Sequence, residues 1–184
     1  MTAPGGFAAS ALALLVTLAQ RPDRDFVSRR CHIRFRHPAD WIVTVDTAGQ
    51  ETPCAFALRP VDWRMRLRRA DSVDLFTTRL DVYSEGVWAV ASERGFERRP
   101  EGWVVLGRQG MASPADSVHA RGWAGLRGVR SIGCFRAGPD DAYAGLCDAP
   151  SAVVGTATRA AVLEGGPQSE ELISHLLATL RFIP

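Results

Sequence analysis

The chain has 184 residues, of which 46% are hydrophobic and 23% are charged, and its formal net charge is +2. This length and balance suit one globular domain with a real core and exclude a disordered or fibrous chain. The net charge is too small to indicate nucleic-acid binding. The chain contains no lysine, so Schiff-base and P-loop chemistry are excluded as well.

The chain begins with an uncharged segment at residues 1–19, most of it an apolar run rich in alanine and leucine. An apolar core of about 13 residues is typical of a signal peptide and is too short to span a bilayer securely. Thr17-Leu18-Ala19 offers a small-x-small cleavage site. We predict an export signal at residues 1–19, an arginine-rich linker at residues 20–30, and a single mature domain at residues 31–184 without a membrane span. The alternative is that the first segment is retained as a buried helix.

Apolar and polar residues alternate from Cys31 to Arg36, which predicts a strand with one buried face. Pro38 and Asp40 favour a turn at residues 37–40, and Trp41–Val45 is rich in aromatic and β-branched residues. We expect these two strands to form a hairpin, followed by a third strand at residues 54–58.

Residues 63–69 alternate again, with three arginines on one face of the expected strand: Arg64, Arg66 and Arg68. Such a face is commonly a solvated strand edge protected by charge. The alternative is an anion-binding surface for phospholipid head groups or acidic glycans. We retain these arginines as a possible anion-binding surface.

The rest of the chain predicts further strands, two helices and one long polar loop. The elements in order are a strand at 76–83, a helix at 84–94, a strand at 103–108, a loop at 109–121, strands at 123–136, 142–147 and 152–163, and a final helix after Pro167 with an apolar stripe of Leu172, Ile173, Leu176, Leu177 and Leu180. This order predicts an α+β fold in which helices cover a mostly antiparallel sheet.

Four cysteines lie in the mature region: Cys31, Cys54, Cys134 and Cys147. An even number in an exported chain indicates disulfides, with three possible connectivities. Cys134 and Cys147 flank the turn at residues 138–141, so a hairpin there would bring them together, and closing a loop of about 15 residues stabilises by roughly 3 kcal/mol. Elimination pairs Cys31 with Cys54, although the outer strands of a simple three-stranded meander do not touch.

The sequence contains no strong catalytic or metal-binding motif. His32 and His37 are five residues apart, so on a strand they point to opposite faces and are poorly placed to share a metal. Within the 109–121 loop, His119 with Asp116 or Ser117 has the residue types of a hydrolase site but no recognised spacing. We therefore predict no enzyme, no metal and no cofactor, with a small envelope hydrolase as an alternative.

Two short sequence features resemble bacterial proteins of the PsbP-like fold, also called the Mog/PsbP fold. The first is His37-Pro38 followed by Trp41, and the second is a final helix that runs into Thr179-Leu180-Arg181-Phe182. The resemblance spans roughly residues 31–183 and implies a PsbP-like α/β/α sandwich. Proteins of this fold include photosystem accessory subunits, a Ran-binding protein and secretion-effector chaperones, so the resemblance implies a binding surface more than catalysis.

We therefore expect an exported, non-enzymatic binding or accessory protein of the bacterial periplasm or envelope. Its partner would be an unknown envelope protein or anionic ligand, and the Arg64 to Arg69 stretch and the 109–121 loop are the expected contacts. A cytoplasmic chaperone for secretion effectors, with residues 1–19 retained and the cysteines reduced, is the further alternative.

Overall fold

The computed structural model of the chain describes residues 22–45, 54–67, 73–107, 110–137 and 142–184; for residues 66–67, 73–74, 133–137 and 142–145 the description is confined to the backbone. The strands are β1 Asp23–Ser28, β2 Ile33–Pro38, β3 Trp41–Val45, β4 Ala55–Pro60, β5 Thr78–Tyr83, β6 Phe96–Arg99, β7 Gly102–Leu106, β8 Ala112–Ala120, β9 Trp123–Ala137, β10 Ala142–Gly155, β11 Ala160–Gly165 and β12 Arg181–Phe182. The helices are α1 Trp63–Leu67, α2 Val87–Glu93 and α3 Glu170–Thr179, with a 3₁₀ turn at Val73–Phe76. The predicted export signal at residues 1–19 lies outside the described residues. Within the described ranges, no helix combines the length and apolar character needed to cross a membrane.

The described strands form two antiparallel sheets. The small sheet has the order β1-β2-β12, and the large one has the order β3-β4-β5-β11-β10-β9-β8-β7-β6. The long hairpin of β9 and β10 occupies the middle of the large sheet, where β11 joins it to β5. The predicted α+β class with a mostly antiparallel sheet is therefore confirmed.

The predicted hairpin between residues 31–36 and 41–45 is wrong, because the two segments belong to different sheets. Strand β2 pairs with β1 and β12, whereas β3 pairs with β4. Alternation identifies the face of a strand that is buried, but it does not identify the neighbouring strand. The turn at residues 39–40 therefore carries the chain from one sheet into the other.

The prediction of a linker at residues 20–30 is also wrong, because residues 23–28 form β1. This strand pairs along its whole length with β2, from Asp23 opposite Pro38 to Ser28 opposite Ile33. The ring of Phe26 stacks on that of Phe35, with centroids 4.8 Å apart. Arginine and aspartate outnumber apolar residues here because half of the residues of this edge strand are exposed and none is fully buried.

The two faces of the large sheet contribute to two apolar clusters. On one face α3 and the small sheet pack against the large sheet, burying side chains such as Phe35, Leu163 and Ile173. On the other face α2 packs through Val90 against side chains that include Val153. Strands β10 and β11 are buried on both sides, which explains their continuous apolar runs at 152–154 and 160–163. Complete coverage by helices, as in the predicted α/β/α sandwich, stays a prediction.

Three local predictions differ from the structure. Residues 63–67 form α1 rather than a strand, because a five-residue run is too short for its period to distinguish the two. Most of the predicted 109–121 loop is the strand β8, and the predicted strand at 152–163 is divided between β10 and β11 by a turn. Helix α2 ends at Glu93, and Gly95, which follows the C-cap residue Arg94, has a φ of 77°, a left-handed conformation that glycine adopts readily.

Candidate functional site

A disulfide between Cys31 and Cys54 links the two sheets, with the two Cα atoms 5.5 Å apart. Cys31 precedes β2 in the small sheet and Cys54 precedes β4 in the large sheet. Both side chains belong to the apolar cluster between the sheets. The geometric objection to this pairing disappears because β2 and β4 lie in two packed layers rather than in one meander.

Cys147 is also disulfide-bonded. It lies opposite Ile132 in the β9–β10 hairpin, so the prediction that it lies directly opposite Cys134 is wrong. The register shifts within the same hairpin, between Tyr143 and Leu146. The side chain of Cys134 lies outside the described part of the chain, and the Cys134–Cys147 pairing stays a prediction.

The predicted strand that would align Arg64, Arg66 and Arg68 as an anion-binding surface does not form at residues 63–67, which are the helix α1. Arg64 is exposed on α1 with its guanidinium 5.4 Å from the ring centroid of Trp63, and Arg59 lies 5.7 Å from the same centroid. The side chain of Arg66 and the whole of Arg68 lie outside the described residues. Residues two apart do not share one face of a helix, so α1 does not align these arginines. An anion-binding role for them stays a prediction.

The residues of the hydrolase alternative lie on β8. Alternation along this strand places Val118 and Ala120 against the first apolar cluster, so Asp116 shares their face. Ser117 and His119 lie on the opposite face, and all three polar side chains are exposed. The strand therefore separates the acid from the other two residues.

A pocket of about 280 Å³ lies where β5 begins and β11 ends. Beyond the register pair Ser151 and Glu164, β10 continues without β11, and β9 continues without β8 beyond Gly128. Among the described residues, the two strands then pair with each other alone and form a two-stranded arm. The pocket lies at the base of this arm and is lined by Thr77, Arg79, Arg130, Ile132, Ala149, Pro150, Ser151, Glu164, Gly165 and Gly166.

Arg130 is held in place on one side of the pocket. Its Nη1 donates to Glu164 Oε1 at 3.1 Å, and its Nη2 donates to the backbone oxygen of Arg94 at 2.7 Å. The oxygen of Arg94 follows the last turn of α2, so the guanidinium connects this helix to β11. Arg130 Nε is buried and has no hydrogen-bond partner among the residues that the structure describes.

Two other polar side chains of the pocket have no partner in the described part of the chain. Ser151 is only 1% exposed, and its Oγ makes no hydrogen bond there. Arg79 is exposed and makes no hydrogen bond or ion pair within the described residues. Glu164 lies directly opposite both of them, with Ser151 on β10 and Arg79 on β5. The carboxylate of Glu164 is bound to Arg130, so the lining has one more positive than negative side chain.

Tyr83 extends this network beside the pocket. Its hydroxyl accepts a hydrogen bond from Arg94, whose guanidinium also lies 5.2 Å from the tyrosine ring centroid. Burial raises the pKa of the Tyr83 phenol above 10.0, and the positive charge of Arg94 opposes the shift. Arg94 therefore contacts Tyr83 with its side chain and Arg130 with its backbone oxygen.

Sequence reasoning missed this pocket because its residues come from four strands that are distant along the chain. A signal is visible in hindsight. Ser151 directly precedes the apolar run of β10, and Glu164 directly follows that of β11. Because β10 and β11 are antiparallel, the start of one apolar run and the end of the other lie side by side. A polar residue at both of these positions indicates the edge where a pocket can open. The strand order was needed to bring Arg79 and Arg130 to that edge.

Solved structures share this arrangement of strands and helices. A crystal structure from Bacteroides thetaiotaomicron VPI-5482 has a TM-score of 0.52 at 13% identity, covering 90% of this chain and 49% of its own. This chain thus spans about half the length of that Bacteroides protein. The solution structure of CyanoP, the PsbP of the cyanobacterium Synechocystis sp. PCC 6803, has a TM-score of 0.50 at 8% identity, covering 94% of this chain and 99% of its own.

The chain therefore has a PsbP-like fold, which confirms the resemblance found in the sequence. No protein-family model and no curated protein sequence matches it. At such low identities the likeness defines the fold and leaves the activity open.

Proposed function

We propose that this chain is an exported, non-enzymatic binding or accessory protein of the bacterial periplasm or envelope, built as a PsbP-like α/β/α sandwich. The observation that carries the proposal is the Cys31–Cys54 disulfide between the two sheets. Disulfides persist in oxidising compartments and are rare in the cytosol. The uncharged apolar run in residues 1–19 supplies an export signal of suitable length.

The polar pocket supports a binding role rather than catalysis. Its one described carboxylate, that of Glu164, is engaged by Arg130, and neither histidine nor cysteine is among the described residues that line it. Such a lining supplies hydrogen bonds and charge for recognition but no free base beside a nucleophile. The likeness to PsbP supports the same proposal, because the resemblance implies accessory and chaperone roles.

The test is the intact mass of the protein from an export-competent bacterial host, with and without reductant. We expect the loss of residues 1–19 and a mass that rises by four hydrogens on reduction, one for each of the four cysteines. A Leu14→Arg variant, with a charge inside the apolar run, is the matched control and should stay full-length and reduced. A full-length, reduced wild-type chain would overturn the proposal in favour of a cytoplasmic chaperone.

A hydrolytic activity of the purified protein that is lost in His119→Ala would overturn the non-enzymatic part of the proposal. The side chain of His119 is exposed and makes no hydrogen bond within the described residues, so this substitution should leave the fold intact. An activity unchanged in the variant would remove β8 as its source.

A further inference from the structure

We propose that the pocket at the base of the two-stranded arm binds a small organic monoanion through its carboxylate group, an inference that rests on the proposed binding role. The first observation is the unused hydrogen-bonding capacity of the pocket. Ser151 Oγ and Arg130 Nε are buried and have no hydrogen-bond partner within the described ranges. An unsatisfied buried polar group is destabilising, so a ligand group that supplies a partner to either atom is favoured.

The second observation is the charge of the lining. Arg79 and Arg130 are positive, and Glu164 is negative. The pair between Arg130 and Glu164 leaves the positive charge of Arg79 without a counter-charge within the described residues. One carboxylate balances this charge, whereas a dianion would leave the pocket with a net negative charge. The guanidinium of Arg79 can bind both oxygens of a carboxylate in a planar fork.

The register of the strands allows these groups to meet one ligand. Arg130 lies opposite Ala149, so it is a diagonal neighbour of Ser151 across the β9–β10 pair. Diagonal neighbours are about 7–8 Å apart, within reach of a long side chain. Arg79 lies on the other side of Glu164 and must extend over that residue to meet the same ligand. Ser151 itself lines the pocket.

The size and apolar lining of the pocket indicate the rest of the ligand. Drug-sized ligands occupy pockets of about 300 Å³ or more, so a volume of about 280 Å³ suits a small organic acid better than a polymer. Ile132, Ala149 and Pro150 line the pocket and provide apolar surface for a short hydrocarbon or ring. The expected ligand has one carboxylate and a compact apolar body.

The test uses benzoate as the probe, with benzamide as the uncharged analogue and inorganic phosphate as the competing ion. Titration calorimetry on the mature, oxidised protein should show benzoate binding at least about ten-fold tighter than benzamide, the effect expected of one hydrogen bond to a charged group. Arg79→Gln should weaken benzoate binding by a similar factor. Arg121→Gln is the matched control, because Arg121 is exposed in the turn between β8 and β9 and should leave binding unchanged.

Ser151→Ala distinguishes a ligand-binding hydroxyl from a structural one. The substitution removes an unsatisfied buried group, so the free protein should unfold at an equal or higher urea concentration while its affinity for benzoate falls. Equal binding of benzoate and benzamide, unchanged binding by Arg79→Gln, or tighter binding of phosphate would overturn the inference. If the protein is exported and oxidised but binds no benzoate, only the inference about the ligand is refuted. If the chain is cytoplasmic and reduced but binds benzoate, only the proposed compartment is refuted.

Discussion

Removing the Cys31–Cys54 disulfide should destabilise the protein by several kcal/mol. The bridge closes a segment with a sequence separation of 23 residues. The chain-entropy relation for such a loop gives a stabilisation of about 3.4 kcal/mol at room temperature, because the cross-link restricts the unfolded chain. Both sulfur atoms belong to the cluster between the sheets, so removing them also reduces packing there. A Cys31→Ala/Cys54→Ala double variant should therefore lose about 3–4 kcal/mol.

The assay is urea unfolding of the oxidised wild type and the double variant, followed by far-ultraviolet circular dichroism. The midpoint should fall, and the slope should rise slightly because the unfolded variant exposes more surface. A Cys147→Ser variant tests the other described disulfide-bonded cysteine under the same conditions. A loss below about 1 kcal/mol for the double variant would refute the reasoning, because the bridge would then not be the constraint that the relation describes.

Three further predictions follow from buried or close contacts. Trp123 donates from Nε1 to the backbone oxygen of Leu180 at 3.1 Å, so Trp123→Phe should cost about 1–3 kcal/mol in urea unfolding, and no loss would mean that the bond contributes nothing net. A Cβ on Gly125 would lie 2.0 Å from the oxygen of Val153, so Gly125→Ala should reduce the unfolding midpoint strongly, and an unchanged midpoint would contradict this close approach. Because folding raises the pKa of Tyr83, the unfolded chain loses the phenol proton at a lower pH than the folded protein does. The contribution of the protonated phenol to stability is therefore complete below pH 10.0 and decreases as the pH rises through the folded pKa. Ultraviolet titration of the phenolate should therefore show a transition above that value in wild type that is lost in Tyr83→Phe, and an ordinary titration of Tyr83 would contradict the burial argument.

Local sequence patterns identified several elements and their buried faces. Alternation between Cys31 and Arg36 identified the buried side of β2, where Ile33 and Phe35 are fully buried. The helical spacing of Leu172, Ile173 and Leu176 identified the buried stripe of α3. These predictions succeeded because each depends only on the period of one element.

The spacing of apolar residues failed to predict the structure where the run was short or where the neighbouring strand was unknown. Residues 63–67 alternate as a strand does but form α1, and the charges of residues 23–28 concealed the exposed strand β1. The polar composition of residues 112–120 favoured a loop, yet β8 pairs with both β7 and β9. Backbone pairing with neighbouring strands can stabilise a strand whose own composition favours a loop.

The sequence by itself determined the α+β class, the buried faces of the main elements and the resemblance to the PsbP-like fold. Only the tertiary structure decided which strands are neighbours, and that order has two consequences. It brings Cys31 within disulfide distance of Cys54 by stacking two sheets, and it gathers Arg79, Arg130 and Ser151 around one pocket. The physical reason is that periodicity reports the local environment of a residue, whereas a site made by several strands depends on contacts between residues far apart in sequence.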